Sequence, residues 1–155
     1  MSLSRSLHVT LSSLVFLAVG GCATTSSSTA SAPAPSAAAG ATFADQVAAG
    51  QTLYAQNCAS CHGDSGQGGK APRVVGLKEG ALPLDPPADR QYRKGQFVTV
   101  ADVANFVVAN MPPKKAGTLT SDQYWAILAF DLHANGVDLP SALTPAVAST
   151  LTIPR

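Results

Sequence analysis

The chain has 155 residues, enough for one domain of ordinary size. Ten Lys and Arg residues against nine Asp and Glu residues give a formal net charge of +1 at pH 7. Because nucleic acids are bound mainly through strongly basic surfaces, this near-neutral balance argues against a nucleic-acid partner.

Residues 1–21 have the layout of a secretory signal peptide, with Arg5 ahead of an apolar run at residues 9–19. This run is too short to cross a bilayer, since a spanning helix needs ~20 apolar residues. The following "VGGC" resembles a bacterial lipoprotein box, which would make Cys22 the lipidated first residue of the mature protein. Ordinary cleavage near Ala23 is the alternative. Either route exports the protein, and Ala23 after a lipidated cysteine suggests, by resemblance to sorted lipoproteins, the outer membrane.

Residues 22–40 are interpreted as a flexible tether. After Cys22 they consist only of Ala, Ser, Thr, Pro and Gly. Such a segment buries too little apolar surface to offset the entropy of ordering it. A tether of this kind gives a membrane-anchored domain a reach of roughly 5–6 Å × √n for n residues.

The first helix is predicted from Thr42 or Phe43 to Gln56. Apolar residues recur at helical spacing, and Thr42 with Asp45 resembles a capping pair. Gly50 lies inside this helix, where glycine costs up to ~1 kcal/mol of helix propensity relative to alanine.

The stretch "CASCH" follows, with Cys58, Cys61 and His62. A thioredoxin-like dithiol normally follows a strand and opens a helix, but here a helix comes first. A structural zinc site needs a fourth ligand, usually from a second cysteine cluster, and the one further cysteine is Cys22, which is expected to carry lipid. The third interpretation is covalent attachment of a c-type haem, for which Cys-x-x-Cys-His is the signature, with His62 binding the iron. The residues favour this third interpretation.

Residues 63–98 show little regular structure. A loop of this length inside a compact domain needs an explanation. A bound haem would supply the missing core, because apolar residues of the loop would bury against its ring. These residues are Val74, Val75, Leu77, Leu82 and Leu84. The chain without haem is therefore expected to be poorly folded.

The second helix is predicted from Val100 to Asn110, with Thr99 as its cap. Met111 follows directly and precedes Pro112 and Pro113, so it should lie in extended backbone beyond the helix end. Once the signal peptide is removed, Met111 is the one remaining methionine. It is the candidate second axial ligand, against the alternative of an ordinary core side chain.

The last helix is predicted to begin after Thr120, where Gln123 completes a capping box, and to end at Asn135-Gly136. Its aromatic and aliphatic residues are assigned to the core. His133, the other possible axial ligand, is interpreted as a surface residue.

Residues 41–139 resemble a class I (monohaem) c-type cytochrome, on the evidence of "CASCHG", a glycine-rich loop with a proline, "MPP" and "LTSDQYWAILAFDLHANG". The resemblance implies a small all-α fold of three or more helices wrapped around one covalently bound haem. It also implies that the Pro72 carbonyl accepts a hydrogen bond from the axial histidine, and that Gly50 permits close crossing of the first and last helices. Residues 140–155 form a C-terminal extension.

The expected function is one-electron transfer by a His/Met-ligated cytochrome tethered in the periplasm, acting as an electron carrier and not as an enzyme. A positive reduction potential is expected, since a thioether ligand favours Fe(II). The C-terminal part is similar to dehydrogenase-associated cytochrome domains, which implies a dehydrogenase donor and a respiratory acceptor. A haem enzyme or a gas or redox sensor with a displaceable methionine is the alternative, and so is an accessory lipoprotein.

Basic residues follow the methionine and occur in the preceding loop. They are Arg90, Arg93, Lys94, Lys114 and Lys115. A basic rim around the haem edge would steer an acidic redox partner. A set of solvated charges, cancelled by nearby Asp85 and Asp89, is an equal alternative.

Overall fold

The computed structural model describes residues 40–81, 84–86, 88 and 93–154. The helices in these ranges are α1 Phe43–Asn57, α2 Ala59–His62, α3 Val100–Asn110, α4 Ser121–Ala134 and α5 Pro145–Thr150, with a 3-10 helix at Leu77–Glu79. Apart from an isolated bridge between Thr99 and Thr152, the described ranges contain no extended pairing. The predicted all-α class is therefore confirmed.

Some predictions concern residues outside these ranges. The signal peptide, Cys22 and the tether up to residue 39 lie there, and so do Leu82, Asp89 and Arg90. Within the described part of the chain, no helix has the length and apolar character needed to cross a membrane.

Three helices begin at the capping residues that predicted them. In each, the threonine side chain accepts a hydrogen bond from the backbone N–H of the residue three positions later. The side chain of that later residue accepts a hydrogen bond from the backbone N–H of the threonine. The pairs are Thr42 with Asp45, Thr99 with Asp102 and Thr120 with Gln123. Each box satisfies backbone donors that a helix start otherwise leaves without partners.

Helices α1 and α4 cross in close contact at Gly50. A Cβ atom on Gly50 would lie 1.9 Å from the carbonyl oxygen of Ala126 and 2.9 Å from the Cβ of Phe130. Ala126 is fully buried. One turn further along α1, the ring of Tyr54 packs against Phe130 at 5.1 Å between centroids. The expectation that a residue without a side chain permits this crossing is confirmed.

The segment after α4 packs onto the other helices. Leu143, Ala148 and Ile153 are buried in the main core. The buried amide of Gln46 in α1 accepts from the Leu143 N–H at 2.7 Å and donates to the Leu143 carbonyl at 3.0 Å. Helix α5, which sequence patterns did not predict, begins with Pro145 after the capping residue Thr144. The segment thus contributes core residues beside α1 and α3.

Candidate haem site

Two cysteines and a histidine lie within one turn after α1. The Cys58 N–H donates to the Tyr54 carbonyl, which ends α1, and the Cys58 carbonyl accepts from Cys61 and His62, which opens α2. Both cysteines are half-buried and neither forms a disulfide. Residues three apart on a helical turn lie on the same side, so the two thiols face one region.

The environment of Cys58 differs from that of a reactive dithiol. Burial, reinforced by the nearby charges of Asp131 and Cys61, raises the pKa of the Cys58 thiol to about 12. A redox-active Cys-x-x-Cys needs the opposite shift, because the thiolate is the nucleophile. In the described residues, no group of three or more His, Cys, Asp and Glu side chains is arranged to hold a metal ion. The thioredoxin-like and zinc interpretations therefore gain no support from the geometry.

The ring of His62 is held by Pro72. The His62 Nδ1 atom lies 2.7 Å from the Pro72 carbonyl oxygen, and a carbonyl can only accept. The proton therefore resides on Nδ1, which leaves the lone pair of Nε2 free to bind a metal. The structure thus contains the contact that the resemblance implied between the proline carbonyl and the histidine.

The loop after α2 folds back onto the helix end. The His62 carbonyl accepts from the Gly68 N–H at 2.7 Å, and the Cys61 carbonyl accepts from the Ala71 N–H at 3.0 Å. Gly66 is buried with φ +74°, and a Cβ there would lie 2.5 Å from the side chain of Val75. Only glycine fits this position, because its φ is left-handed and its surroundings are filled.

Asn135, just after α4, fastens this loop to the rest of the molecule. Its Nδ2 donates to the Val74 carbonyl and to the Asp131 carbonyl, both at 2.8 Å. Its Oδ1 accepts from the Gly76 N–H at 2.8 Å. Sequence patterns identified Asn135 only as a helix stop, because a side chain that reaches a loop 59 to 61 residues away leaves no local signal.

Met111 lies where α3 ends. Its N–H closes the last turn on the Val107 carbonyl, and its own backbone is extended, with φ −121° and ψ 146°. The predicted helix end at Asn110 and the extended conformation of Met111 are confirmed. The methionine is half-buried.

Tyr124 of α4 fixes the backbone around Met111. Its buried hydroxyl donates to the Met111 carbonyl at 2.8 Å and accepts from the Gly117 N–H at 3.0 Å. The same phenol therefore holds both ends of the 111–117 loop. Sequence patterns assigned Tyr124 to the core without this contact, since they carry no information on where its hydroxyl lies.

The basic residues divide into two groups. Lys94, Lys114 and Lys115 are exposed. Arg93 is buried, with 8% of its surface exposed; its guanidinium donates to the carbonyls of Leu84, Asp85 and Gly95 and lies 3.9 Å from the centre of the Phe97 ring. Arg93 therefore holds the loop from inside and does not belong to an exposed basic rim.

These residues fit a covalently attached haem. The two cysteines are unpaired, the His62 ring is oriented with Nε2 free, and Met111 presents a thioether in extended backbone held by Tyr124. Thiols, an imidazole and a thioether are the groups that c-type haems take from proteins. His133 does not join this set, because it is exposed and its Nδ1 lies 2.6 Å from Asp138 Oδ1.

The family model for cytochrome c oxidase, cbb3-type, subunit III matches residues 45–130, which is more than half of the chain. Cbb3-type cytochrome c oxidase subunit CcoP of Azospirillum sp. (strain B510) is 42% identical over 69 residues, covering 44% of this chain and 22% of that protein. Thiosulfate dehydrogenase of Stutzerimonas stutzeri (strain A1501) is 33% identical over 90 residues, covering 54% of this chain and 26% of that protein. The chain thus spans about a quarter of the length of these relatives.

A solved structure has a similar fold. The sulfane dehydrogenase SoxCD from Paracoccus pantotrophus matches with a TM-score of 0.51 at 32% sequence identity, covering 70% of this chain and 53% of that chain. The cofactor is haem c, bound covalently as in the homologous domains, and Cys58 and Cys61 fit its attachment. With more than half of its length matched, the chain belongs to the cytochrome c family of cbb3-type oxidase subunit III.

Proposed function

We propose that this chain is a one-electron carrier whose haem is attached at Cys58 and Cys61 and ligated by His62 and Met111. The single observation that carries the proposal is the hydrogen bond from His62 Nδ1 to the Pro72 carbonyl, which leaves Nε2 for the iron. Such a bond also raises the basicity of the ligand. A separate hydrogen bond, from the Tyr124 hydroxyl to the Met111 carbonyl, restrains the Met111 backbone.

A haem held by the His62 imidazole and the Met111 thioether would supply one-electron chemistry at a raised reduction potential. The protein's part is to keep both ligands in place, so that oxygen and other small molecules do not reach the iron. Two separate hydrogen-bonded supports do this, one through Pro72 and one through Tyr124. This arrangement favours a carrier over an enzyme, which needs an open coordination position.

The proposed location is the periplasm, with the protein tethered to a membrane through lipid on Cys22. The support is the signal-like segment 1–21, the lipoprotein-like "VGGC" and the uncharged tether that follows. The names of the relatives, an oxidase subunit and two dehydrogenases, support redox protein partners of those kinds. The direction proposed is from a periplasmic dehydrogenase to an acceptor of the respiratory chain.

Carbon monoxide tests whether Met111 blocks the iron. The reduced wild-type protein is expected to keep its absorption spectrum when carbon monoxide is added, because both axial positions are filled. Met111→Ala is expected to bind carbon monoxide stoichiometrically, with a shift of the main absorption band. Visible absorption spectra, recorded while carbon monoxide is added to the reduced protein, measure binding by the wild type and by Met111→Ala.

His133→Ala is the matched control for this titration. Among the described residues, His133 is the histidine that lies outside the attachment motif. Its side chain is exposed beside Asp138. Its loss should leave the reduced protein unreactive towards carbon monoxide. Stoichiometric binding by the wild type would instead indicate a sensor or an enzyme with a displaceable methionine.

Tyr124→Phe is expected to weaken the hold on Met111 without removing it. The change leaves the half-buried Met111 carbonyl and the exposed Gly117 N–H without their shared partner, at a cost of about 0.5–1.5 kcal/mol per hydrogen bond. The absorption band of the iron–thioether bond should therefore disappear at lower temperature, and at a less alkaline pH, than in the wild type. A thermal and a pH titration of the oxidised protein measure both midpoints.

Tyr54→Phe provides the matched comparison. The Tyr54 hydroxyl is also buried but donates to the Gly63 carbonyl at 3.0 Å, on the histidine side. This variant should lose global stability without an early loss of the iron–thioether band. Equal behaviour of the two variants would show that Tyr124 has only a general structural role.

A further inference from the structure

One carboxyl oxygen on α4 is buried without a partner in the described part of the chain. The Oδ1 atom of Asp131 is shielded from solvent and has no hydrogen-bond partner among the described residues, although Asp131 as a whole is only half-buried. Ionised carboxylates are rarely buried without a partner, because transfer out of water penalises the charged form. At this position the carboxyl is therefore either neutral, or ionised at a cost in stability that a function would explain.

The surroundings of Asp131 are apolar. The carboxyl lines a small cavity of about 20 Å³, whose other lining residues are Val100, Val103, Leu128, Leu132 and Ile153. This volume has room for about one water molecule. Burial raises the pKa of Asp131 to about 8, so the carboxyl is mostly protonated at neutral pH.

Two titratable groups of α1 and its end, Tyr54 and Cys58, interact with the charge of Asp131. Burial raises the pKa of both groups, and the Asp131 charge raises each pKa further. Neither carries charge near neutral pH: burial keeps the Tyr54 phenol protonated, and a thioether at Cys58 does not titrate. From α3 and the C-terminal segment, the residues that line the cavity are apolar. No cation in the described part of the chain therefore neutralises the carboxylate.

The carboxyl is also close to the haem site. Its charge acts on Cys58, the first attachment cysteine, and its own backbone carbonyl accepts from Asn135, which fastens the loop after His62. In a water-poor interior, charges a short distance apart interact far more strongly than in bulk water. A change of one unit of charge on a haem attached at Cys58 would therefore act on the Asp131 carboxyl.

We infer that Asp131 is a proton-binding site coupled to the redox state of the haem. When a redox partner delivers one electron to the attached haem, the Asp131 carboxylate would take one proton from solvent and become the neutral acid. When the electron leaves, the proton returns to solvent. The electron adds negative charge beside the carboxylate, so the reduced protein binds the proton more tightly; by linkage, the protonated protein binds the electron more tightly.

This inference rests on the proposed function, since it needs a haem that cycles between two redox states. Its test is the midpoint potential of the holoprotein, measured by spectroelectrochemistry between pH 5 and pH 10. In the wild type, we expect the potential to fall with rising pH over a window around pH 8. The steepest slope expected is about 59 mV per pH unit, which corresponds to a tenfold change in the redox equilibrium constant per pH unit.

Asp131→Asn should remove this slope while it keeps the shape of the side chain. Asp122→Asn, on the exposed first turn of the same helix, is the control and should keep the wild-type slope. If Asp131→Asn does not fold, Asp131→Leu suits the apolar surroundings and serves the same purpose. A potential that does not depend on pH in the wild type, or a slope that survives in the Asp131 variant, overturns the inference. The latter result would assign the slope to another group, such as the haem carboxylates.

Thermal stability tests the buried acid without reference to electron transfer. The pKa of Asp131 lies at about 8 in the folded protein, against an ordinary value of 3.8. Between these two values only the unfolded chain ionises, so folding stability falls as pH rises through this window. Asp131→Asn should therefore gain melting temperature relative to the wild type from about pH 4 to pH 8, with no further gain above. A gain that does not depend on pH would show that the carboxyl is not held neutral.

The two proposals fail in different ways. If the wild-type protein binds carbon monoxide, the carrier proposal fails whatever the pH dependence of its potential. If it does not bind carbon monoxide and its potential is independent of pH, the carrier proposal stands and the proton site is overturned.

Discussion

Gly50→Ala is expected to destabilise the protein severely, although alanine is the better helix former. Helix propensity alone would favour the alanine by up to ~1 kcal/mol. The added Cβ would lie 1.9 Å from the backbone oxygen of Ala126, and a backbone atom cannot move aside as a flexible side chain can. Helices α1 and α4 must therefore separate, and the cost should reach or exceed the about 3 kcal/mol typical of severe overpacking. Chemical denaturation of the holoprotein, followed by circular dichroism, measures the loss.

Gly95→Ala is the control for this substitution. A Cβ on Gly95 would meet no atom within 4 Å, so the same chemical change adds no clash. Its free energy of unfolding should stay close to the wild-type value. The proposed role of the crossing would be wrong if Gly50→Ala and Gly95→Ala had similar stability.

The double substitution Cys58→Ser and Cys61→Ser is expected to abolish covalent haem attachment. No other cysteine of the mature chain is available for thioether bonds except Cys22, which is proposed to carry lipid. The polypeptide should then be poorly folded, because the described part of residues 63–98 contains only one short 3-10 helix and depends on other groups for its core. Haem staining after denaturing electrophoresis and far-ultraviolet circular dichroism report the two effects.

Cys22→Ser separates anchoring from haem binding. This variant should keep covalent haem and its full helical content, but should be recovered in the soluble fraction and not with membranes.

If the Cys58 and Cys61 double variant still carried haem after denaturation, attachment at these positions would be excluded.

Features encoded by adjacent residues were predictable. The starts of α1, α3 and α4 follow from threonine capping boxes, and the end of α3 follows from the two prolines after Met111. The close approach at Gly50 followed from the family resemblance and not from the helix pattern. Short elements were missed, because the four residues of α2 and the six of α5 cannot show a helical period.

The contacts that support the site were not predictable, because their partners are far apart in the sequence. Asn135 reaches residues 59 and 61 positions away, and Gln46 pairs with Leu143 across 97 positions. Arg93 illustrates the same limit: its charge suggests a surface position, but the carbonyls it binds hold it inside. Asp131 is not among the aromatic and aliphatic residues of α4 assigned to the core, and only packing shows that its Oδ1 atom is buried without a partner among the described residues.

The visible absorption spectrum of the purified oxidised holoprotein tests the His62 and Met111 ligation most directly. Iron bound to a methionine thioether gives a weak band near the red end of the visible range. We expect this band in the oxidised wild type, its loss on reduction, and its absence from oxidised Met111→Ala. A wild-type spectrum without the band would show that Met111 is not the stable axial ligand, and the carrier proposal would give way to a haem protein with an open iron.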